Sequence, residues 1–206
     1  MNALVVAGVS ILALAGSEPR VAQTAEEIHP LLIGAEAPDV TLRDVDSAQV
    51  RLRDLLSEKA TVLIFYRGGW GPYCNTQLGA IAKIDPRLRE LGYQIVAVSP
   101  DKPEKLRASL DKGKLTYTLL SDSKMDAARA FGIAFKVDDA TLDKHKTHGI
   151  DLTEASGETH HLLPVPSVFI LGTDGVIRFE YVNPNYKVRL DPEVLLAAAK
   201  AALKEK

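Results

Sequence analysis

Residues 60–74 read ATVLIFYRGGWGPYC and join a strand pattern to a helix pattern at Cys74, the only cysteine of the chain. Residues 60–66 form a continuous apolar, β-branched and aromatic run, which is typical of a strand buried on both faces. The glycines predict a turn, and apolar residues recur at helical spacing after it. A thiol at the start of a helix meets unpaired backbone N–H groups and the positive end of the helix dipole. Both favour the thiolate, the reactive form of cysteine, so this stretch predicts redox chemistry at one sulfur.

The composition bounds the remaining classes of function. The chain has 206 residues, of which 46% are hydrophobic and 25% charged, and its net charge is −2. These values are ordinary for a soluble globular domain. The mixed charges lack the basic footprint of a nucleic-acid-binding protein, so we expect no nucleic-acid partner. Because Cys74 stands alone, no second sulfur of this chain can close a disulfide with it.

The first residues form a separate segment. Residues 3–16 read ALVVAGVSILALAG, an apolar run that is short for a membrane span and suits the core of a signal peptide. We therefore expect residues 1–25 to be a signal peptide or N-terminal apolar segment. The protein would then be exported, to the periplasm or another extracytoplasmic space. An uncleaved segment that tethers the protein to a membrane is the alternative.

The rest of the chain alternates strand and helix patterns. We predict a hairpin over 37–52, a helical turn at 52–56, a helix after Cys74 that is kinked or restarted at Pro86, strands at 93–99, 117–120, 167–171 and 176–181, and helices at 101–112, 122–131 and after Asp191. Residues 134–163 are polar and histidine-rich, and we expect an insertion or long surface loop there. The alternation predicts an α/β layer fold with right-handed crossovers.

Five short motifs occur in order along the chain. They are residues 33–42 (IGAEAPDVTL), 63–70 (LIFYRGGW), 96–99 (VAVS), 120–122 (LSD) and 169–175 (FILGTDG). This set resembles the peroxiredoxin-like (alkyl hydroperoxide reductase/thiol-specific antioxidant) family of the thioredoxin superfamily, from residue 33 to the C-terminus. The resemblance implies one thioredoxin-like domain over residues 33–204. Its α/β fold would have a central mixed sheet flanked by helices, with an N-terminal β-hairpin extension.

The resemblance also implies an activity. The chain would be an antioxidant oxidoreductase, a thiol-dependent peroxidase that reduces peroxides with one peroxidatic cysteine. Its partners would be a peroxide substrate and an external thiol reductant, since the chain has no second cysteine to resolve the oxidised one. No cofactor and no metal are implied, and a homodimer is left open.

Two positions depart from the family's pattern. The family carries Pro-x-x-x-Thr-x-x-Cys around the peroxidatic thiol, which aligns Cys74 with that thiol and Gly71 with the threonine. Pro166 stands in a segment where the family usually has an arginine, and this segment resembles the cis-proline loop of thioredoxins. Only X-Pro bonds adopt the cis form at low cost, so Pro166 is the candidate for a cis peptide packed beside the redox loop.

Several other side chains are candidates for supporting roles. Arg67 at the strand end and Arg178 in the later hairpin are possible cations beside the thiolate. Tyr73 could lend a hydroxyl donor or only cover the sulfur. His145-x-x-His148 has a spacing that could hold a metal, although histidines in a polar surface segment are more often solvated.

Two other interpretations of the same residues stay open. The run from Gly71 to Cys74 matches the Cys-Pro-Tyr-Cys of glutaredoxin-like sites with the leading cysteine lost. The chain would then be a relative of thiol–disulfide oxidoreductases. Alternatively, it is a redox-inert thioredoxin-fold module that binds partners, with Cys74 as a buried small hydrophobe.

Overall fold

The computed structural model describes residues 21–113 and 115–204. The apolar run at 3–16, and with it most of the expected signal segment, lies outside these residues. Within the described ranges, no helix is both long and apolar enough to cross a membrane.

Nine strands and seven α-helices follow one another along the described chain. They are β1 (Thr41–Arg43), β2 (Gln49–Arg51), α1 (Leu52–Glu58), β3 (Thr61–Phe65), α2 (Pro72–Glu90), β4 (Gln94–Ser99), α3 (Pro103–Gly113), β5 (Thr118–Ser121), α4 (Asp126–Ala130), β6 (Ala134–Lys136), α5 (Asp139–Thr147), α6 (Leu152–Ser156), β7 (Leu162–Pro164), β8 (Ser167–Leu171), β9 (Ile177–Val182) and α7 (Pro192–Ala202).

Seven of these strands form one mixed sheet in the order β2-β1-β5-β4-β3-β8-β9. The central strands β3, β4 and β5 are parallel, and the strands outside them pair antiparallel. The hairpin of β1 and β2 lies at one edge, as the sequence predicts. The predicted α/β architecture, a central mixed sheet flanked by helices, is therefore confirmed.

The strand β3 lies in the middle of the sheet because both of its faces are apolar. All five of its residues are buried. Val62 and Ile64 pack in the layer that contains α2 and α7, whereas Leu63 and Phe65 pack in the layer that contains α1. Burying a side chain of this size contributes roughly 1.5–3 kcal/mol. The two layers therefore fix β3, and with it the loop that carries the cysteine.

The helix α2 runs unbroken through Pro86, so the predicted restart does not occur. Asp85 does not cap a new helix. Its carboxylate is buried and accepts hydrogen bonds from Arg89 Nε at 2.8 Å and Thr116 Oγ1 at 2.7 Å. The buried residues Ile84 and Leu88 pack in the core on both sides of the proline. This packing offsets the hydrogen bond that proline cannot donate.

The expected long loop at 134–163 is folded, so that expectation is wrong. β6 and β7 form a two-stranded antiparallel sheet, and α5 and α6 lie between them. Two aspartates begin these helices: Asp138 accepts a hydrogen bond from Thr141 N at 2.8 Å, and Asp151 accepts one from Thr153 N at 2.8 Å. Polar residues dominate the segment 134–163, and none of the residues of α5 is buried. The segment therefore lacks the apolar period by which helices are recognised in a sequence.

Residues 21–32 dock on the domain instead of serving only as a connector. Ala22 N donates to Ala134 O at 3.2 Å, and Lys136 N donates to Ala22 O at 2.9 Å. Further along, His29 N donates to Gly132 O at 3.1 Å, and Leu31 N donates to Phe131 O at 3.1 Å. The folded unit therefore includes residues upstream of position 33.

Gly132 is the tightest point of this docking. Its φ is +69°, and a Cβ at this position would lie 1.9 Å from the His29 carbonyl oxygen. Gly149 has a similar φ of +71° but has no atom within 4 Å of such a Cβ. We expect Gly149→Ala to cost roughly 1–2 kcal/mol for the left-handed backbone. Gly132→Ala should cost about 1–3 kcal/mol more, because the clash displaces residues 28–31.

Urea unfolding of the two variants beside the wild type measures this difference. Equal losses of unfolding free energy in both variants would show that residues 28–31 are not held against Gly132.

Candidate active site

Cys74 lies in the first turn of α2, two residues after the helix begins at Pro72. β3 ends at Phe65, and the loop over residues 66–71 carries the chain into the helix. The first turn leaves backbone N–H groups without intrahelical acceptors, and the 19-residue helix adds the positive end of its dipole. The Cys74 side chain is buried, with 2% of its surface exposed.

Arg189 donates a hydrogen bond to the sulfur. Its Nη2 lies 3.4 Å from Cys74 Sγ, its Nη1 lies 2.8 Å from Gln77 Oε1, and its Nε lies 2.7 Å from the Tyr186 carbonyl oxygen. Three partners thus fix one guanidinium beside the thiol. A cation within hydrogen-bond distance stabilises a thiolate, the form that attacks electrophiles.

The sequence analysis missed Arg189. It lies 115 residues from Cys74 in the chain, in the irregular segment between β9 and α7. No local spacing links the two positions, so only the folded chain brings them together.

Arg67 supplies a second cation, which is buried, whereas Arg189 is only partly buried. Its side chain is 7% exposed, and its Cζ lies 4.3 Å from the Tyr186 ring centroid and 5.5 Å from the Trp70 ring centroid. Burial lowers the pKa of Arg67, and the nearby Cys74 and Tyr186 oppose that shift. Its Nε has no hydrogen-bond acceptor among the described residues. The structure therefore places this predicted cation by the sulfur with one donor unused.

His145 reaches the loop from α5. Its Nε2 lies 3.4 Å from Arg67 Nη2, and its ring centroid lies 5.4 Å from that of Trp70. It is half-buried, unlike the solvated histidine that the sequence suggested. His148 is exposed and contacts the Lys144 carbonyl oxygen through Nδ1 at 2.8 Å. In the described part of the chain, no group of three or more His, Cys, Asp or Glu side chains could hold a metal ion.

Two further predicted residues, Gly71 and Tyr73, border the sulfur. A Cβ at Gly71 would lie 3.1 Å from Cys74 Sγ, so any side chain there would crowd the thiol. Tyr73 is exposed, and its ring centroid lies 5.8 Å from that of Tyr186 in an edge-to-face arrangement. Tyr73 and Tyr186 therefore form a pair of exposed rings at the start of α2.

Pro166 lies at the same end of the sheet but with a trans peptide. No cis bond occurs in the described residues, so the cis prediction is wrong. Val165 N donates to the Ile133 carbonyl oxygen at 2.9 Å, and Ser167 pairs with Phe65 at the end of β3. The chain therefore passes extended from β7 into β8, and no reversal at the proline requires a cis bond.

Arg178 does not join the site. It pairs with Asp174 in the hairpin between β8 and β9. That hairpin follows Leu171, which pairs with Thr61 at the start of β3. The cysteine loop leaves the other end of the same strand. Arg178 is therefore separated from the sulfur by the length of the central strand.

Asp101, two residues after the end of β4, holds the loop over residues 66–71. Its Oδ2 accepts a hydrogen bond from Gly69 N at 2.7 Å. Burial raises the pKa of this carboxyl to about 6, although the Gly69 N–H, Ser99 and Lys105 act in the opposite direction. Sequence reasoning missed Asp101 as well, because an aspartate before a helix resembles an ordinary helix start.

A pocket of about 400 Å³ lies behind this loop. Gly69, Trp70 and Asp101 line it together with residues of α2, α3 and α6, but Cys74, Arg67 and Arg189 do not. The reactive sulfur and both cations are thus outside this pocket, and we place the chemistry at the sulfur.

The raised pKa of Asp101 makes stability depend on pH. Asp101 is 2% exposed, and the folded protein holds its proton up to a pH of about 6, whereas an unfolded aspartate loses it near pH 4. The unfolding free energy contributed by this group is therefore full below about pH 4 and falls as pH rises to about 6. We expect the wild type to lose about 1–3 kcal/mol more than Asp101→Asn between pH 4 and pH 7.

Urea titrations of both proteins at the two pH values give this difference. A loss that is the same in the variant would mean that Asp101 is ionised throughout the range.

Comparisons with a protein family, a related protein and solved structures agree with the fold described above. The model of the AhpC/TSA family matches residues 33–180. Peroxiredoxin Bcp of Escherichia coli (strain K12) is 34% identical over 106 residues, which are 52% of this chain and 67% of that protein.

Two solved structures share the fold. Peroxidoxin BcpB from Mycobacterium tuberculosis has a TM-score of 0.65 at 21% identity, over 82% of this chain and 96% of that one. Reduced Prx3 in complex with H2O2 from Vibrio vulnificus has a TM-score of 0.68 at 17% identity, over 82% and 99%. The thioredoxin-like fold predicted from the sequence is confirmed, and the chain belongs to the AhpC/TSA family.

Proposed function

We propose that this protein is a thiol-dependent peroxidase in which Cys74 is the peroxidatic cysteine. Membership of the AhpC/TSA family and the similarity to a protein named peroxiredoxin Bcp support the activity. The observation that carries the assignment to Cys74 is the contact of 3.4 Å between Arg189 Nη2 and Cys74 Sγ, with Arg67 buried nearby.

The cations distinguish this cysteine from a structural one. A buried thiol that only fills space needs apolar neighbours. Burying a guanidinium group, as at Arg67, is costly unless an anion compensates it. No carboxylate within salt-bridge distance of Arg67 or Arg189 is found among the described residues. A thiolate at Cys74 is the anion that this arrangement accommodates, which favours a redox role over an inert one.

The chemical step follows from these groups. The thiolate attacks the terminal oxygen of a peroxide ROOH, so that an S–O bond forms and the O–O bond breaks. The sulfur is oxidised by two electrons to a sulfenic acid, and the peroxide is reduced to ROH after its leaving oxygen takes a proton. The unused Nε donor of Arg67 and the fixed guanidinium of Arg189 would stabilise the negative charge that develops on that oxygen.

An external thiol completes the cycle. It attacks the sulfenic sulfur, releasing water and forming a mixed disulfide with Cys74. A second thiol then restores the Cys74 thiol and leaves as part of a disulfide. The chain itself cannot supply the second sulfur, because Cys74 is its only cysteine.

We also propose, from the sequence alone, that the protein works outside the cytoplasm. The support is the apolar run at residues 3–16 with small residues after it. Recovery of the tagged chain from the periplasmic fraction of its host, with its N-terminus sequenced, tests this proposal.

A second candidate function rests on Gly71. The 3.1 Å from a Cβ at this position to Cys74 Sγ is close to the separation of about 3 Å between one Cβ and the opposite sulfur in a disulfide. The loop therefore has the geometry of a two-cysteine redox site whose first sulfur is missing. This favours common descent with thiol–disulfide oxidoreductases, while the chain as it stands lacks the group needed for that reaction.

Arg189→Met is expected to lower the second-order rate constant of peroxide reduction about 10–100-fold, because it removes the cation that contacts the sulfur. Arg178→Met serves as the matched control, since this arginine pairs with Asp174 away from the site, and should react like the wild type. Cys74→Ser should be inactive. Stopped-flow peroxide consumption measures all three, and dimedone trapping locates the sulfenic acid.

Full activity in Arg189→Met would remove Arg189 from the mechanism. Absence of a dimedone adduct on a thiol that alkylation shows to be accessible would end the peroxidase proposal.

Gly71→Cys is expected to form an intrachain disulfide with Cys74 under mild oxidation and to gain disulfide reductase activity, because the geometry needs little adjustment. Mass spectrometry of the alkylated protein and an insulin reduction assay measure the two effects. Gly79→Cys, on the same helix, provides the control. Free thiols at both cysteines of Gly71→Cys after oxidation would contradict the shared descent.

A further inference from the structure

His145 is the point where α5 contacts the buried cation beside the sulfur. Its Nε2 lies 3.4 Å from Arg67 Nη2. A guanidinium only donates hydrogen bonds, so the imidazole nitrogen that faces it must be the acceptor. This contact assigns the neutral tautomer with the proton on Nδ1, an atom that is buried and has no partner among the described residues.

A continuous series of contacts connects this imidazole to the reactive sulfur. Arg67 packs on the Tyr186 ring with its Cζ 4.3 Å from the centroid. The Tyr186 carbonyl oxygen accepts a hydrogen bond from Arg189 Nε at 2.7 Å, and Arg189 Nη2 reaches Cys74 Sγ at 3.4 Å. The position of Arg67 therefore affects both the electrostatics of the site and the residue that holds Arg189.

Arg67 has few other partners to fix it. No carboxylate pairs with it in the described chain, and its Nε lacks an acceptor. Its other contacts include the aromatic faces of Trp70 and Tyr186, and the Tyr186 side chain also raises the pKa of Arg67 as a hydrogen-bond partner. These faces attract a cation but do not fix the direction of its N–H groups. His145 is the side chain whose lone pair orients the guanidinium.

We propose that His145 is a positioning residue: its neutral imidazole orients Arg67 beside Cys74, and protonation of the imidazole releases Arg67 and slows the reaction with peroxide. The proposal rests on the proposed peroxidase function. It assigns to α5 a role in the chemistry, although no residue of α5 contacts the sulfur.

The charges around His145 are consistent with a neutral ring near pH 7. Burial lowers the pKa of His145, and Arg67 across the contact and His148 and Lys144 on the same helix lower it further. Asp138, at the start of α5, acts in the opposite direction. A second positive charge on the imidazole would face the Arg67 guanidinium directly, so protonation is expected to separate the two groups.

Three variants test the role of His145 by peroxide consumption at pH 7.5 and pH 5. His145→Gln keeps an acceptor that does not titrate, and its rate constant should match the wild type at pH 7.5. As pH falls from 7.5 to 5, its rate constant relative to the wild type should rise, because Arg67 stays oriented while the wild-type imidazole takes up a proton. His145→Leu removes the acceptor and should be about fivefold or more slower at pH 7.5. His148→Gln, three residues further along the chain, should match the wild type at pH 7.5 and, because it keeps His145, should stay slower than His145→Gln at pH 5.

A second measurement does not require peroxidase activity. The ratio of the rates at which iodoacetate and iodoacetamide alkylate Cys74 reports positive charge near the sulfur, since only the first reagent is an anion. This ratio should fall in His145→Leu and stay near the wild-type value in His145→Gln and His148→Gln.

The outcomes separate the two proposals. A wild type that consumes no peroxide defeats the peroxidase function, while the alkylation ratio still tests the contact. An active wild type whose rate and alkylation ratio are unchanged in His145→Leu overturns the positioning role. If His145→Leu does not fold, a constant ratio of His145→Gln to wild-type rates between pH 5 and pH 7.5 overturns it equally.

Discussion

The structure around Cys74 depends on two guanidinium groups, Arg67 buried and Arg189 partly buried, that lie beside one sulfur. Arg189 is fixed by Gln77, the Tyr186 carbonyl and the sulfur itself, and Arg67 is buried against two aromatic rings. Neither guanidinium has a carboxylate within salt-bridge distance among the described residues. Both cations therefore favour negative charge beside them, on the sulfur or on an oxygen bound to it.

The fold places these charged side chains close to one another. β3 packs between apolar layers on both faces, and this packing fixes the positions of its end and of the start of α2. Asp101 ties the loop at Gly69, the segment before α7 contributes Arg189, and α5 contributes His145. Four separate parts of the chain thus meet around the cysteine loop and the start of α2. Such a site tolerates little displacement, because catalysis by fixed dipoles and charges depends on their arrangement before the substrate arrives.

Local patterns in the sequence predicted much of this arrangement. The buried strand, the glycine turn and the helix after it follow from residue types over short distances, and they made Cys74 and Arg67 candidates, whereas Gly71 became one through the resemblance to known site motifs. Arg189 and Asp101 could not be found in this way, since their roles arise from contacts between distant segments.

The wrong expectations have similar physical causes. A helix without buried residues, such as α5, shows no apolar period. Arg178 was selected by its place in a family pattern, but its own neighbour Asp174 satisfies it. The trans bond at Pro166 reflects the extended path between two strands, which residue types alone do not specify.

The edge-to-face pair of Tyr73 and Tyr186 has a consequence for the groups around the sulfur. Each ring is about two-fifths exposed, at 42% and 40%, whereas Cys74 is 2% exposed. The Tyr186 carbonyl oxygen also holds Arg189, whose Nη2 contacts the sulfur. A ligand that packs against this exposed ring pair and shifts Tyr186 would therefore also shift the cation at Cys74.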